Sequence, residues 1–334
     1  MEDRFGHHIS YLRVSITDRC NERCQYCMPN EEQDWLNRSN VLSYEELLRV
    51  IRVGAGLGVS KVRITGGEPL TRRNVLWFFE KLQAIEKIED IGISTNGTLL
   101  ARATEDGITT AQALKNAGVR TVNISLDTID PAEYAKATGR DYFDRAIEGI
   151  DAAREAGFEK IKINSVLMRH RNEHELWDLV EFARERDLLL RFIELMPVST
   201  TEVLTEENFL PAGEAKKLLE FRLGKLEARP EIRTNGPASY YEIPGTGQII
   251  GFIGAMTNLH FCDTCNKLRL TCEGKLRPCL GSHHEFDMRE VLRDTSMTDE
   301  DVAKFFLDVV DRKPEQHEFR ENYQPGRRMV AIGG

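Results

Sequence analysis

The chain has 334 residues, 41% apolar and 30% charged, the balance of an ordinary globular protein and not of a collagen, a disordered tail or a small disulfide scaffold. Forty-five basic against 54 acidic side chains leave a net charge of −9, which argues against generic nucleic-acid binding. No apolar run nears the ~20 residues of a membrane span, and Met1-Glu2-Asp3-Arg4 lacks a secretory stretch, so a cytoplasmic protein that does not engage a membrane is expected.

Strand-like and helix-like stretches alternate over the first two thirds. Tyr11 to Ile16 is predicted as a strand, followed by a cysteine-bearing loop. Ser43 with Glu46 forms a capping box for a helix to about Leu57. Strands are predicted at Lys61 to Thr65, Ile91 to Thr95, Thr121 to Leu126, Ile161 to Leu167 and Leu189 to Leu195. Between them lie helices at Asn74 to Ile85, Thr110 to Ala117, Pro131 to Gly157 and Glu173 to Arg186. Such alternation predicts a parallel sheet with helical crossovers, as an open barrel or a doubly wound sheet. After Met196-Pro197 the pattern weakens: a helix from Pro211 to Phe221, then short strands predicted as antiparallel at Gln248 to Ile253, Lys267 to Leu270 and Lys275 to Leu280. Helices return at Met288 to Arg293 and Thr298 to Asp311. The domain boundary is placed near residue 235, giving units 1–235 and 236–334.

Seven cysteines fall in two groups, Cys20, Cys24, Cys27 and Cys262, Cys265, Cys272, Cys279, a clustering that reads as metal ligation rather than disulfides. Cys20-x3-Cys24-x2-Cys27 follows the first strand, where α/β folds place their sites. Three thiolates on a tight loop suit three irons of a 4Fe-4S cubane and leave the fourth iron open; a zinc knuckle is the rival. Tyr26 is suited to lie against a cofactor. Gly66-Gly67-Glu68-Pro69, after the second strand, offers close backbone approach and a carboxylate for an ammonium group. In the second group Cys262-x2-Cys265-x13-Cys279 again offers three thiolates, whereas counting Cys272 gives a four-cysteine zinc or closed iron-sulfur set.

The first cysteine loop and the Gly-Gly-Glu element resemble the radical S-adenosylmethionine superfamily. Leu12 to Asn21 with Cys24, Tyr26 and Cys27, the stretch Phe261 to Thr271, and the terminal Gly333-Gly334 are similar to the GTP 3′,8-cyclase family of molybdenum cofactor biosynthesis, over about residues 8 to 334. The resemblance implies an incomplete (β/α)6 barrel closed by a smaller C-terminal α+β domain. It implies two 4Fe-4S clusters, one on Cys20, Cys24 and Cys27 and one on Cys262, Cys265 and Cys279, with Cys272 a bystander. S-adenosylmethionine would contact Tyr26, Gly67, Glu68, Thr95, Ser125 and Met196. The 5′-deoxyadenosyl radical would take the 3′ hydrogen of GTP, and the ribose radical would close on carbon 8. Arg13, Arg63, Lys162, Lys267 and Arg269 match positions that contact GTP, Arg191 is similar to an active-site arginine, and the Gly333-Gly334 tail would reach the site. The family usually has Arg where this chain has Lys267, which keeps the charge and loses the planar fork. A reductant protein, a downstream cyclic pyranopterin monophosphate synthase and a homodimer complete the expected partners. His260, His283 and His284 are expected to be structural or surface residues. The competing readings are another radical enzyme with an auxiliary cluster, such as a peptide modifier, and a non-catalytic metal-binding scaffold.

Overall fold

Side-chain alternation along the strands decides the architecture. In the computed structural model, which describes residues 1–28, 34–199, 203–232, 234, 236–321 and 323–333, six parallel strands run in chain order: β1 (Tyr11–Ser15), β2 (Lys61–Thr65), β3 (Asp90–Thr95), β4 (Thr121–Ser125), β5 (Lys160–Leu167) and β6 (Leu189–Glu194). Their crossovers carry α1 (Tyr44–Gly56), α2 (Val75–Gln83), α3 (Thr110–Asn116), α4 (Pro131–Thr138), α5 (Phe143–Ala156) and α6 (Leu176–Glu185). Successive strand residues point to opposite faces. Leu12, Val14, Ile64, Ile93, Ile124, Ile163 and Leu190, all fully buried, join the apolar core that includes the helices, whereas Arg13, Arg63, Asn123, Lys162 and Arg191 line a cavity. One face of each strand stabilises the fold and the other is free for chemistry.

After β6 come α7 (Ala212–Leu223), β7 (Glu227–Ala228), β8 (Ser239–Glu242), β9 (Ile249–Ile253), β10 (Lys267–Leu270), β11 (Lys275–Arg277), β12 (Phe286–Asp287), α8 (Met288–Arg293), α9 (Asp299–Asp311) and α10 (Met329–Ile332). The expectation of antiparallel strands here is corrected in part. β10 pairs with β1 and β9 with β6, both in parallel, so the C-terminal region extends each edge of the six-stranded sheet. The outer additions, β11 and β12 on one side and β8 and β7 on the other, are antiparallel. The helices then return to the start of the chain: Arg293 of α8 pairs with Glu46 of α1 at 2.8 Å, and Phe306 of α9 sits against Gly54. The capping box on α1 is present, Ser43 Oγ accepting from the Glu46 amide.

The helical sequence predicted from Pro131 to Gly157 is divided into two helices. Gly139 takes φ +63° and ends α4, and α5 starts again at Phe143. Likewise the predicted start at Glu173 is a short 3-10 turn before α6. No helix among the described residues is long and apolar enough to cross a membrane.

Close backbone packing makes Gly149 intolerant of a side chain. A Cβ on Gly149 of α5 would lie 2.0 Å from the Gly97 carbonyl oxygen, which belongs to the turn after β3. Backbone cannot yield as a flexible side chain does. Gly149→Ala is therefore expected to destabilise the fold by about 2 kcal/mol, read as a lower urea midpoint with unchanged slope; an unaltered midpoint would show that α5 shifts at no cost.

Candidate active site

A cavity of about 370 Å³ opens where the polar strand faces meet, and both cysteine groups reach it. Cys20, Cys24 and Cys27 line it with Tyr26, Gly67, Glu68, Thr95, Ser125 and Met196, as do Cys262, Cys265 and Cys279 with Arg13, Arg63, Lys162, Arg191, Lys267 and Arg269. Residues predicted from stretches some 250 positions apart in the chain are thus brought together by the pairing of β1 with both β2 and β10.

The first cysteine loop continues the β1–β2 pairing beyond the strands. The Gly67 amide donates to Thr17 O at 2.8 Å and the Glu68 amide to Arg19 O at 2.8 Å. A Cβ on Gly67 would lie 2.3 Å from Arg19 O, so only glycine permits this approach. The Cys27 and Met28 amides both donate to Cys24 O at 2.9 Å, turning the loop tightly. Burial pushes all three thiols up, Cys27 to about 12, and Glu68 and Glu22 add to the effect at Cys20 and Cys24 respectively. Tyr26 donates to Asp127 Oδ2 at 2.9 Å, while Asp127 Oδ1 accepts from the Val166 amide at 2.8 Å, which fixes the ring against β5.

Glu68 is fully buried, and its partners among the described residues are neutral donors: the amides of Leu70 and Asn96 and the Thr95 hydroxyl, at 2.8–3.0 Å. Burial raises its carboxyl to about 7 in spite of those bonds. A cationic group delivered to this point would hold it ionised.

Cations also line the cavity, at one level of the sheet. Arg13 is in register with Arg269 on β10 and with Arg63 on β2, so three guanidinium groups occupy neighbouring strands on one face. Glycines make room for them: a Cβ on Gly92 would lie 2.5 Å from Arg63, and one on Gly251 3.0 Å from Arg191. These two glycines escaped the sequence reading; their signal is an apolar-patterned strand interrupted by Gly beside a long cation. Arg63 is held by Tyr11 Oη at 2.7 Å, Ile93 O at 2.9 Å and Thr121 Oγ1 at 2.8 Å, and Arg191 by Asn164 Oδ1. Burial, aided by Arg191 and Arg63, lowers the Lys162 ammonium to about 7, and burial with Arg13 lowers Arg269 to about 9. Such a field favours a polyanion. Lys267, in register with Tyr11, places Nζ 5.7 Å from that ring.

Cys272 does not line the cavity. It is fully buried, and its carbonyl accepts from the Leu42 amide. His260 is exposed and pairs with Asp263, and His283 stacks on Tyr323 at 4.6 Å. Gly333 lies against the ends of β1 and β2: Arg269 Nη1 donates to its carbonyl at 2.9 Å, and a Cβ would meet Ser15 and Thr65 at 2.9 Å each. Gly334 lies outside the described residues. Upstream, Arg327 pairs with Glu273 and, at 2.7 Å, with Glu285. Because Gly333 also holds φ +89°, Gly333→Ala is expected to lift the tail. Trypsin should then cut after Arg327 and Arg328 several-fold faster than in the parent; equal rates would mean the tail is held without Gly333.

Among the described residues no three histidine, cysteine or carboxylate groups converge on one point as a single metal ion requires. A cubane spreads its protein ligands over separate irons. The donor sets suit such a group: all seven cysteines are free thiols, and six of them face the cavity, where ligation would take them as thiolates. Residues 14–183 match the Radical SAM superfamily, and residues 188–319 match Molybdenum Cofactor Synthesis C. The chain is 42% identical over 335 residues to the GTP 3′,8-cyclase of Petrotoga mobilis and 41% over 335 residues to that of Thermodesulfovibrio yellowstonii, with 100% of each chain covered. Its fold is like that of Streptococcus suis SuiB bound to S-adenosylmethionine (TM-score 0.59, 17% identity, 87% of this chain and 65% of SuiB). It is also like anSMEcpe with bound AdoMet (TM-score 0.59, 16% identity, 94% of this chain and 83% of that one). With the two family matches adjoining and the likeness to the curated relatives running end to end, the chain belongs to the GTP 3′,8-cyclase family of the radical S-adenosylmethionine superfamily.

Proposed function

We propose that the protein converts GTP to (8S)-3′,8-cyclo-7,8-dihydroguanosine 5′-triphosphate, the first step of molybdopterin biosynthesis, with S-adenosylmethionine and two 4Fe-4S clusters. The observation that carries this reading is the convergence of two cysteine triads and a row of cations on one cavity, in a chain akin to GTP 3′,8-cyclases over its whole length. When bound, the clusters supply the electron that cleaves S-adenosylmethionine and an open iron for the guanine base.

Cys20, Cys24 and Cys27 would hold the first cluster, and Cys262, Cys265 and Cys279 the second. Glu68 receives the ammonium of S-adenosylmethionine beside the Gly67 backbone, while Tyr26, Thr95, Ser125 and Met196 bound the rest of the molecule. Arg13, Lys162, Lys267 and Arg269 receive the triphosphate, a role in which charge-assisted donors orient the ribose for attack. Arg63 acts at the same anion, and its bonds to Tyr11, Ile93 and Thr121 keep the guanidinium in place. Arg191 and the Gly333-Gly334 tail close the substrate side. Residues 1–235 form an incomplete (β/α)6 barrel in this reading, and residues 236–334 an α+β unit that closes its open side. A reductant protein delivers the electron, and a cyclic pyranopterin monophosphate synthase takes the product.

Anaerobic reconstitution should give about eight irons with matching sulfide per chain, and 5′-deoxyadenosine formation should depend on GTP. Cys24→Ala should abolish that formation and keep about four irons, whereas Cys272→Ala should keep all eight and the activity. Four irons plus one zinc in the parent, or cleavage that answers to a peptide and not to GTP, would overturn the reading.

A further inference from the structure

Lys313 follows α9 and is only 2% exposed. Its ammonium donates to Pro278 O at 2.7 Å, and reaches Lys267 O at 3.4 Å and Cys265 Sγ at 3.5 Å. An ammonium has three donors, and these acceptors take all three. Among the described residues it has no carboxylate partner. Burying a cation without a counter-charge is costly. Of its acceptors, two are neutral carbonyls, and the sulfur alone can carry negative charge.

The same bonds bridge two separate pieces of chain. Cys265 and Lys267 stand at the start of β10, and Pro278 precedes Cys279 just after β11. The ammonium therefore joins the strand that presents one thiol to the turn that presents another.

We propose that Lys313 is a positioning residue for the second iron-sulfur centre, holding Cys265 and Cys279 in place and setting a fixed positive charge against the Cys265 sulfur. This rests on the reading that Cys262, Cys265 and Cys279 hold a 4Fe-4S cluster. A nearby cation and a hydrogen bond to a ligating sulfur favour the reduced, more negative cluster. Lys313 therefore raises the potential of that cluster and slows its loss.

The test is an EPR-monitored redox titration of the reconstituted full-length enzyme and its Lys313→Met and Lys313→Arg variants. The second cluster is identified as the signal retained in Cys24→Ala. In Lys313→Met that signal should titrate at a more negative potential and its iron should bleach faster under a chelator, with the first cluster unmoved. Lys313→Arg, which keeps the charge, should stay nearer the parent. An unchanged potential and unchanged iron retention in Lys313→Met would overturn the inference. A Cys24→Ala protein with no cluster would instead overturn the reading on which it rests. Should Lys313→Met fail to fold, pulsed EPR on Lys267→Arg protein carrying ε-15N-lysine decides: a lysine nitrogen coupling at the second cluster supports the proposal, and its absence refutes it.

Discussion

Three arginines at one level of three adjacent strands are the constraint on which the rest of this structure depends. Arg269, Arg13 and Arg63 repel one another across β10, β1 and β2, with Lys162 and Arg191 further round the same face. A protein that had to draw stability from that face would not fold. Here it does not have to, because every strand turns its alternate residues into the apolar layer beneath the helices. The polar face is then kept open by glycine at Gly92 and Gly251 and by carbonyl and hydroxyl acceptors that fix individual guanidinium groups without neutralising them. Burial, and after it the charges of Arg191 and Arg63, hold the Lys162 ammonium below its ordinary value. Stability and anion recognition thus occupy opposite sides of the same strands, and substitutions on one side need not disturb the other.

Much of this is legible in the sequence because period-2 alternation and short-range spacing are local properties. Leu12-Arg13-Val14 or Val62-Arg63-Ile64 announces a strand with one charged position on an otherwise apolar ladder, and the bounds of β2 and β10 match the reading to the residue. The cysteine loop and the Gly-Gly-Glu turn are equally local. What escaped is non-local. Strand propensity carries no direction, so Ile249–Ile253 and Lys267–Leu270 gave no sign that they would pair in parallel with β6 and β1. Lys313, beside Arg312 after a helix, reads as a solvated C-terminal charge, and only packing shows it beneath the second cysteine loop. Gly139 inside a helical pattern is ambiguous until its left-handed backbone is seen.

Lys267 illustrates how strand pairing can aim a flexible cation. A lysine lacks the planar fork that orients an arginine, and its single charge must be aimed by something else. The strand pairing places Tyr11 beside it, with the ammonium near the ring and the phenol accepting from Arg63. Burial would raise that phenol, but Arg63, Arg13 and Lys267 bring it below its ordinary value. Tyr11 therefore acts as a shared acceptor that gathers cations of neighbouring strands around one oxygen and one π-face.

The C-terminal segment links the two ends of the cavity. At one end Ser199 Oγ donates to the carbonyl of Cys27 at 2.8 Å and accepts from the Met329 amide at 3.4 Å, which ties α10 to the first cysteine loop. At the other, Arg269 holds the carbonyl of Gly333. A guanidinium already in the cation row is thus also the anchor of the tail. Arg327, paired with Glu273 and Glu285, fixes the base of the segment. The segment is therefore held at Arg327, Met329 and Gly333, so that Met329 and Val330, which line the cavity, are pinned between the cation row and the first cysteine loop.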